Sequence, residues 1–118
     1  MPSLESSRMA KSQKAWVVAF DSDAVIDLED VKSRSDRKAV FNVVQKLMDV
    51  GPDLPSPHMK SLKGEADLFE LRPKQGACEA RLLYARLGRR FMVLAVAAKK
   101  KDFDRAVTEA RERLDRHR

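Results

Sequence analysis

Residues 67–98 read DLFELRPKQGACEARLLYARLGRRFMVLAVAA. Apolar residues alternate here with polar ones or form short aliphatic runs, a pattern that predicts strands rather than helices. We expect strands at 67–72, 78–85 and 89–98, separated by residues 73–77 and by a turn at Gly88. Because such short connections join antiparallel neighbours, the stretch predicts an antiparallel meander.

Helices are predicted on both sides of this meander. Ser22 or Asp23 can cap a first helix, in which apolar residues recur at positions 25, 28 and 31. Ser35 is expected to cap a second helix, which ends at Gly51 and Pro52. A third amphipathic helix is expected from Phe103 to about residue 116. The acidic residues of the first helix are expected to face water: Asp27, Glu29 and Asp30.

The whole pattern predicts one α+β domain. A short apolar run at residues 16–20 indicates a first strand, and three prolines keep residues 51–60 extended and non-helical. The order is therefore β-α-α-β-β-β-α: a small, mostly antiparallel sheet with two N-terminal helices packed on one face and a C-terminal helix. We expect residues 1–14 to be a flexible N-terminal arm, residues 15–118 to be a single domain, and the other face of the sheet to be free for chemistry.

Length and composition exclude several classes of protein. The chain has 118 residues, of which 43% are hydrophobic and 36% charged, enough for one core and too apolar for a disordered chain. A single cysteine excludes an internal disulfide and a multi-cysteine zinc site. No run of about 18 to 20 apolar residues or signal-peptide pattern is present. We therefore expect a cytoplasmic protein without membrane contact.

Positive charge is concentrated in the second half of the chain. Residues 1–57 hold 8 Lys and Arg against 9 Asp and Glu, whereas residues 58–118 hold 16 against 9. Clustered cations indicate a polyanionic partner, most simply nucleic acid, because they displace counterions from phosphates. The alternative is a charged face that only keeps the protein in solution.

The common motifs of enzymes are absent. The sequence has no G-x-G-x-x-G or Walker loop and no G-x-S-x-G motif, and its two histidines are far apart in sequence, so no metal site or cofactor is predicted. Cys78 fits a small buried apolar residue better than a nucleophile. His117 is expected at the surface of the last helix. His58 is either an exposed loop residue or a general base or RNA contact.

Two arginines in the meander admit two interpretations. If residues 74–77 form a four-residue loop, Arg72 faces Glu79 and Glu70 faces Arg81 across the strands. The arginines then fix the strand register through ion pairs. Alternatively, the acids hold the two guanidinium groups ready for a phosphate. The two interpretations are compatible with each other.

Further cations are expected near the end of the sheet. Lys99, Lys100 and Lys101 follow the last strand directly. Lys60 and Lys63 come from the connector, and the pair Arg89–Arg90 lies in the neighbouring turn. Together these residues predict a phosphate-binding concavity, although composition alone is equally compatible with a solvated charged run.

Four elements follow one another in order: Leu62-Lys63-Gly64, the stretch LFELRP at 68–73, RLLY at 81–84, and Val93-Leu94 leading to Lys99-Lys100. Together they resemble the RelE/ParE superfamily, and most closely its HigB-like, phage-derived branch of type II toxins. The resemblance covers residues 16–114. It implies a ribosome-dependent mRNA endonuclease that is neutralised by a cognate antitoxin, commonly a helix-turn-helix protein. It also implies that six cations line the RNA site: Lys60, Lys63, Arg72, Arg81, Lys99 and Lys100.

This sequence departs from the family pattern where aromatic or histidine side chains are usual, at Ala80, Ala95 and Ala97. Two alternatives therefore stay open: a non-enzymatic inhibitor that binds DNA gyrase, as on the ParE side of the superfamily, and a plain nucleic-acid-binding module. On the nuclease hypothesis the two arginines stabilise charge, while a lysine or His58 transfers protons. The slightly acidic N-terminal helices are expected to serve the fold and antitoxin contacts rather than RNA.

Overall fold

The computed structural model describes residues 16–118, so the arm predicted at 1–14 lies outside the described residues. The elements are β1 (Val17–Phe20), α1 (Ser22–Leu28), α2 (Arg34–Val50), β2 (Met59–Ser61), β3 (Phe69–Leu71), β4 (Arg81–Leu87), β5 (Arg90–Ala97) and α3 (Phe103–Leu114). Short 3₁₀ turns lie at Gly51–Asp53, Pro73–Gly76, Lys100–Asp102 and Asp115–His117. None of the described helices is long and apolar enough to cross a membrane.

The five strands form one sheet in the order β1-β5-β4-β3-β2. β1 runs parallel to β5, and the other neighbours are antiparallel. The predicted fold class and the antiparallel meander are confirmed. The structure adds one strand that the sequence analysis did not predict, because β2 has only three residues and follows the proline-rich connector. That connector also begins with a 3₁₀ turn, so its expected non-helical character is wrong for Gly51–Asp53.

Both N-terminal helices begin earlier than expected. Asp21 caps α1, because its Oδ1 accepts a hydrogen bond from the backbone N–H of Asp23 at 2.8 Å. Ser33 caps α2, because its Oγ accepts from the backbone N–H of Asp36 at 3.2 Å. In each case the cap is one or two residues before the expected one, since Asp and Ser also occur at those earlier positions and satisfy the free N–H groups equally well.

Helices cover both faces of the sheet. On one face, α1 and α2 pack against strand residues such as Leu82 and Val93. On the other face, Ala106 and Ala110 of α3 pack with residues such as Leu83 and Leu94. Strands covered on both sides are apolar on both sides, which explains the unbroken apolar run of β5. The face that was expected to be free for chemistry is therefore occupied by α3, and polar groups can gather only at the ends and edges of the sheet.

The C-terminal end of the chain is tied to the start of α1. The buried carboxylate of Asp21 accepts from Arg116 Nη2 at 3.0 and 3.2 Å and lies 2.6 Å from His117 Nε2. Burial raises the pKa of Asp21, but the hydrogen bonds from His117 and from the Asp23 backbone, and the charge of Arg116, outweigh it and hold this pKa below its usual value. His117 is thus a structural contact rather than the surface residue expected.

Asp27 is a second acid that does not face water. Its Oδ2 accepts from the backbone N–H of Val96 at 3.2 Å and from Arg113 Nη1 at 2.8 Å. Arg113 also donates to the carbonyl of Leu94 at 2.9 Å. The expectation of a solvent-facing acid is therefore wrong for Asp27, which joins α1, β5 and α3, whereas Glu29 and Asp30 are exposed as predicted.

Candidate functional site

The cations that the sequence analysis singled out lie mainly at one end of the sheet. β3 and β5 finish there and β4 begins there, since Leu71 pairs with Leu82, and Arg81 with Ala97. Arg72 follows β3 directly, Arg81 is the first residue of β4, and exposed lysines 99–101 continue from β5. We call this set, Arg72, Arg81 and Lys99–Lys101, the cationic end.

Arg81 is buried against the connection from β3 to β4. Its Nε donates to Glu70 Oε2 at 2.9 Å, and its Nη1 donates to the carbonyls of Cys78 and of Ala80, the latter at 2.8 Å. Its Nη2 donates to the carbonyl of Gly76 at 3.3 Å. A guanidinium has five N–H groups, so this network leaves little of Arg81 for a bound phosphate. Its first role is to hold the connection in place.

The connection that Arg81 holds has an unusual backbone. Lys74 and Gln75 adopt left-handed conformations with φ of 52° and 56°, and Gly76 follows with φ of 97°. Non-glycine residues in this region are strained by about 1–3 kcal/mol and persist where their surroundings enforce them. Arg81 holds the segment that follows them, 76–80, through bonds to three of its carbonyls, and the carbonyl of Lys74 itself accepts from the Ala77 backbone N–H at 3.0 Å.

Arg72 has more freedom than Arg81. Its Nε lies 3.6 Å from Glu70 Oε2, and among residues 16–118 this buried nitrogen has no hydrogen-bond partner. Its side chain is 26% exposed, against 10% for Arg81. The guanidinium lies over Gly76, where a Cβ atom would come within 3.0 Å of Nη2. Arg72 is therefore the arginine with hydrogen-bonding capacity to spare at the cationic end.

The strand register differs from the expected one by two residues. Glu70 pairs with Leu83 rather than Arg81, and Arg72 lies at the level of Arg81 rather than Glu79. The predicted contact of Glu70 with Arg81 nevertheless exists, as a diagonal pair. The predicted pair of Arg72 with Glu79 is wrong, because Glu79 instead accepts from the backbone N–H of Lys100 at 3.1 Å. The longer left-handed connection accounts for the shift.

The remaining predicted site residues are dispersed. Lys60 lies in the middle of the edge strand β2, opposite Glu70. Exposed Lys63 follows the last residue of β2, Ser61, at the end of this strand that points away from the cationic end. Arg89 and Arg90 lie at the turn from β4 to β5, at the end of the sheet opposite the cationic end. The expectation that they share one concavity with the lysines is therefore wrong in position.

Two arginines near the turn from β4 to β5 contact an aromatic ring. The Arg89 and Arg86 guanidinium carbons lie 5.4 and 4.8 Å from the centre of the Trp16 ring, a cation–π arrangement that the sequence analysis missed.

His58 lies beside a cavity against α2, together with Lys74. Its backbone carbonyl accepts a hydrogen bond from the backbone N–H of Arg72 at 2.8 Å.

The acid–base and metal-binding groups of the described residues are few. Burial raises the pKa of the Cys78 thiol, which supports its interpretation as an unreactive buried residue. Burial likewise raises the pKa of Tyr84 to about 12, so its hydroxyl stays protonated near neutral pH. Across residues 16–118, no group of three or more His, Cys, Asp or Glu is arranged to hold a metal ion. The chemistry available at the cationic end is therefore that of arginine and lysine.

Comparison with known proteins identifies the class and then the family. The fold is similar to that of the E. coli toxin RelE, solved in the free state as an arginine-to-alanine double mutant: the TM-score is 0.64 at 19% identity, over 84% of this chain and 97% of that one. The family model described as "Phage derived protein Gp49-like (DUF891)" matches residues 28–115. The chain belongs to this Gp49-like family, a family of RelE-type toxins of toxin–antitoxin systems. A search of curated proteins gives no significant match.

The resemblance to the RelE/ParE superfamily is thus confirmed. Membership of the HigB-like branch stays a prediction, as do the roles of the individual site residues. The family implies an antitoxin partner in general terms.

Proposed function

We propose that the protein is a ribosome-dependent mRNA endonuclease, the toxin of a type II toxin–antitoxin system, which inhibits translation. The observation that carries the proposal is the cationic end: in a RelE-type fold, Arg72, Arg81 and Lys99–Lys101 converge where β3, β4 and β5 meet. A concentration of cations on a small sheet suits a phosphodiester substrate, because charge develops on the phosphate during cleavage.

The proposed reaction uses the RNA's own 2′-OH as nucleophile and needs no cofactor or metal. The 2′-oxygen attacks the adjacent phosphorus, the bond to the 5′-oxygen breaks, and a 2′,3′-cyclic phosphate and a free 5′-OH result. Arg72 is placed to bind the non-bridging oxygens, since its side chain is 26% exposed and Glu70 restrains its guanidinium. Arg81 contributes charge and holds the connection that carries Gly76 beneath Arg72.

Proton transfer falls to the lysines and His58. One of Lys60, Lys99 and Lys100 donates a proton to the departing 5′-oxygen, and another lysine or His58 accepts the proton of the 2′-OH. Exposed Lys63 and Lys101 contact the RNA backbone on either side. This set is a modest catalyst, so we expect the ribosome to supply the in-line geometry of the mRNA, a contribution of several kcal/mol.

A cell-free translation assay tests the proposal. The purified protein, stripped of metal with EDTA beforehand, should cut mRNA in a reaction in which ribosomes are translating. The fragments should carry cyclic phosphate ends. Cleavage should stop when the cognate antitoxin, expected to be a helix-turn-helix protein encoded next to this gene, is added. Intact mRNA in every translating reaction, with folded protein present, would contradict the proposal.

Two observations favour a second candidate, a non-enzymatic inhibitor that binds DNA gyrase. The donors of Arg81 are largely taken by the protein itself, and His58 lies beside a cavity against α2. A site with so few free acid–base groups also fits a protein that acts by binding. Gyrase-linked DNA breaks without mRNA cleavage would select this alternative.

A further inference from the structure

A cavity against α2 lies outside the cationic end. It has a volume of about 750 Å³ and lies between the polar side of α2, His58 and the left-handed connection. The same connection joins it to the candidate site, since Lys74 and Gln75 line the cavity and Arg72 precedes Lys74 by two residues. A ligand could therefore extend from one place to the other.

Three lysines give the cavity its charge: Lys38 and Lys46 from α2, and Lys74 from the connection. Among residues 16–118, none of them has a carboxylate oxygen within 4.0 Å. The cavity contains one acid, Asp49, whose Oδ1 accepts from Gln45 Nε2 at 3.3 Å. Cations without acidic partners in a concave site attract anions.

The spacing of the lysines indicates a polymer rather than a free phosphate. Lys38 and Lys46 are eight residues apart on one helix, which corresponds to about 12 Å along the axis. A single phosphate would have to draw the two flexible side chains toward each other, whereas successive phosphates of a nucleic-acid strand can meet each ammonium group where it lies.

Amide side chains lie between and beside the cations. Asn42 and Gln45 come from the same side of α2, and Gln75 comes from the connection. Each amide offers donors and an acceptor, as base edges do, whereas the carboxylates of an acidic peptide only accept. Unstacked bases of single-stranded RNA expose these edges, while the bases of a duplex are paired and stacked. The lining therefore suits a single RNA strand better than an acidic protein segment.

We propose that this cavity binds single-stranded RNA next to the segment that lies at the cationic end, with the three lysines on phosphates and the amides on bases. The inference rests on the proposed function, since it extends the path of the same RNA. It also departs from the expectation that the N-terminal helices avoid RNA, because one side of α2 takes part. Arg81 is a positioning residue for this cavity, because its hydrogen bonds to three backbone carbonyls hold the connection that carries Lys74 and Gln75.

The test measures binding without cleavage. The probe is a fluorescein-labelled 2′-O-methyl RNA of about 12 nucleotides, which has no free 2′-OH to attack, and anisotropy is recorded over a range of salt concentrations. The variant is Lys38→Gln/Lys46→Gln/Lys74→Gln. The control, Lys32→Gln/Arg37→Gln/Arg105→Gln, removes equal charge from exposed residues that do not line the cavity. Thermal melting of both variants checks folding.

The cavity variant should bind at least about 10-fold more weakly than the control. Its plot of log affinity against log salt should be shallower by about 2, because a single strand contributes about 0.7 for each phosphate contact. If the triple variant has a lower melting temperature than the control, the single variant Lys46→Gln is measured instead. It should still lower the slope by about 0.7.

Equal affinities and slopes for the cavity variant and the control would overturn the inference. The inference would also be overturned if the cavity variant lost as much affinity for a DNA duplex of the same length as for the RNA. A loss of affinity for the antitoxin alone would assign the cavity to an acidic protein partner. Because the probe cannot be cut, a protein that cleaves no mRNA yet shows the change in slope would refute the nuclease and retain the RNA-binding cavity.

Discussion

Arg72 and Arg81 lie side by side at the cationic end but have different surroundings. Arg81 is buried and makes four hydrogen bonds within the protein, whereas Arg72 makes one long ion pair and keeps its Nε unpaired among residues 16–118. Breaking a buried charge network is costly because carbonyls and a carboxylate lose their donors. A partly exposed ion pair contributes at most about 1 kcal/mol. The two residues should therefore respond differently to the same substitution.

We expect Arg72→Gln to lower mRNA cleavage by about 100-fold or more with little change in melting temperature, because it removes a donor to the transition state. Arg72→Lys should restore part of the activity, since it keeps the charge without the forked geometry. Arg81→Gln should lower the free energy of unfolding by about 3 kcal/mol or more. Cleavage rates and urea unfolding of the three variants measure these effects. Full activity of a folded Arg72→Gln variant would remove Arg72 from the mechanism.

At the scale of an element, the left-handed connection between β3 and β4 carries the next prediction. Gly76→Ala should disturb Arg72, because the new Cβ would lie 3.0 Å from Nη2 and displace the guanidinium. Gly64→Ala is the matched control: its φ of 81° is also left-handed, but nothing lies within 4 Å. Both should lose about 1 kcal/mol of stability from backbone strain. Only Gly76→Ala should also lower cleavage, and equal activities would show that the position of Arg72 does not matter.

The contact between the end of the chain and α1 predicts a dependence on pH. The pKa of Asp21 is lowered in the folded protein, so its carboxylate stabilises the fold above the ordinary pKa and loses this effect as the pH falls through the lowered value. Asp21→Asn should reduce stability by about 2 kcal/mol at pH 7. The difference from the wild type should shrink below about pH 4.

Urea unfolding at several pH values measures this difference. Asp30→Asn, at an exposed acid, serves as the control and should follow the wild type throughout. A difference between Asp21→Asn and the wild type that stays constant down to pH 3 would mean that the carboxylate charge is not what stabilises the contact.

Elements with a clear period were predictable, and their connections were not. The apolar period of α2 and the caps available near it gave the helix to within two residues. The register of β3 against β4 came out two residues off, because nothing in PKQG indicates two left-handed non-glycine residues. The cavity against α2 depends on that connection, so it too could not be foreseen. Glu70 was correctly linked to Arg81, but by a diagonal contact rather than a direct one.

At the scale of the whole molecule, the cations are divided between two ends of the sheet. The C-terminal half carries the excess charge, but Arg89 and Arg90 are separated from the cationic end by the length of β4. The predicted meander already implied this separation, because a strand that runs from residue 89 to 98 has Arg89 at one end and Lys99 at the other. The parallel pairing of β1 with β5, in contrast, could not be foreseen, since the two strands are far apart in sequence.

Expression of the chain without its antitoxin should arrest growth by stopping translation, measured as lost incorporation of labelled amino acid within minutes. Co-expression of the neighbouring antitoxin gene should restore growth. The Arg72→Gln variant, at equal protein level, should be far less toxic. Unimpaired growth with abundant folded wild-type protein would contradict a toxin of this kind.

The pairing of β1 with β5 has a consequence for how the protein is made. Val17 pairs with Arg90, so β1 has no neighbour in the sheet until β5 has been made. Lys99–Lys101 come immediately after that late strand. Local helices can form early, but a sheet joined over such a distance forms only when its last strand is available. A chain that has been made only as far as β4 therefore has neither the complete sheet nor Lys99–Lys101, and these lysines come beside Arg72 and Arg81 only once β5 is in place.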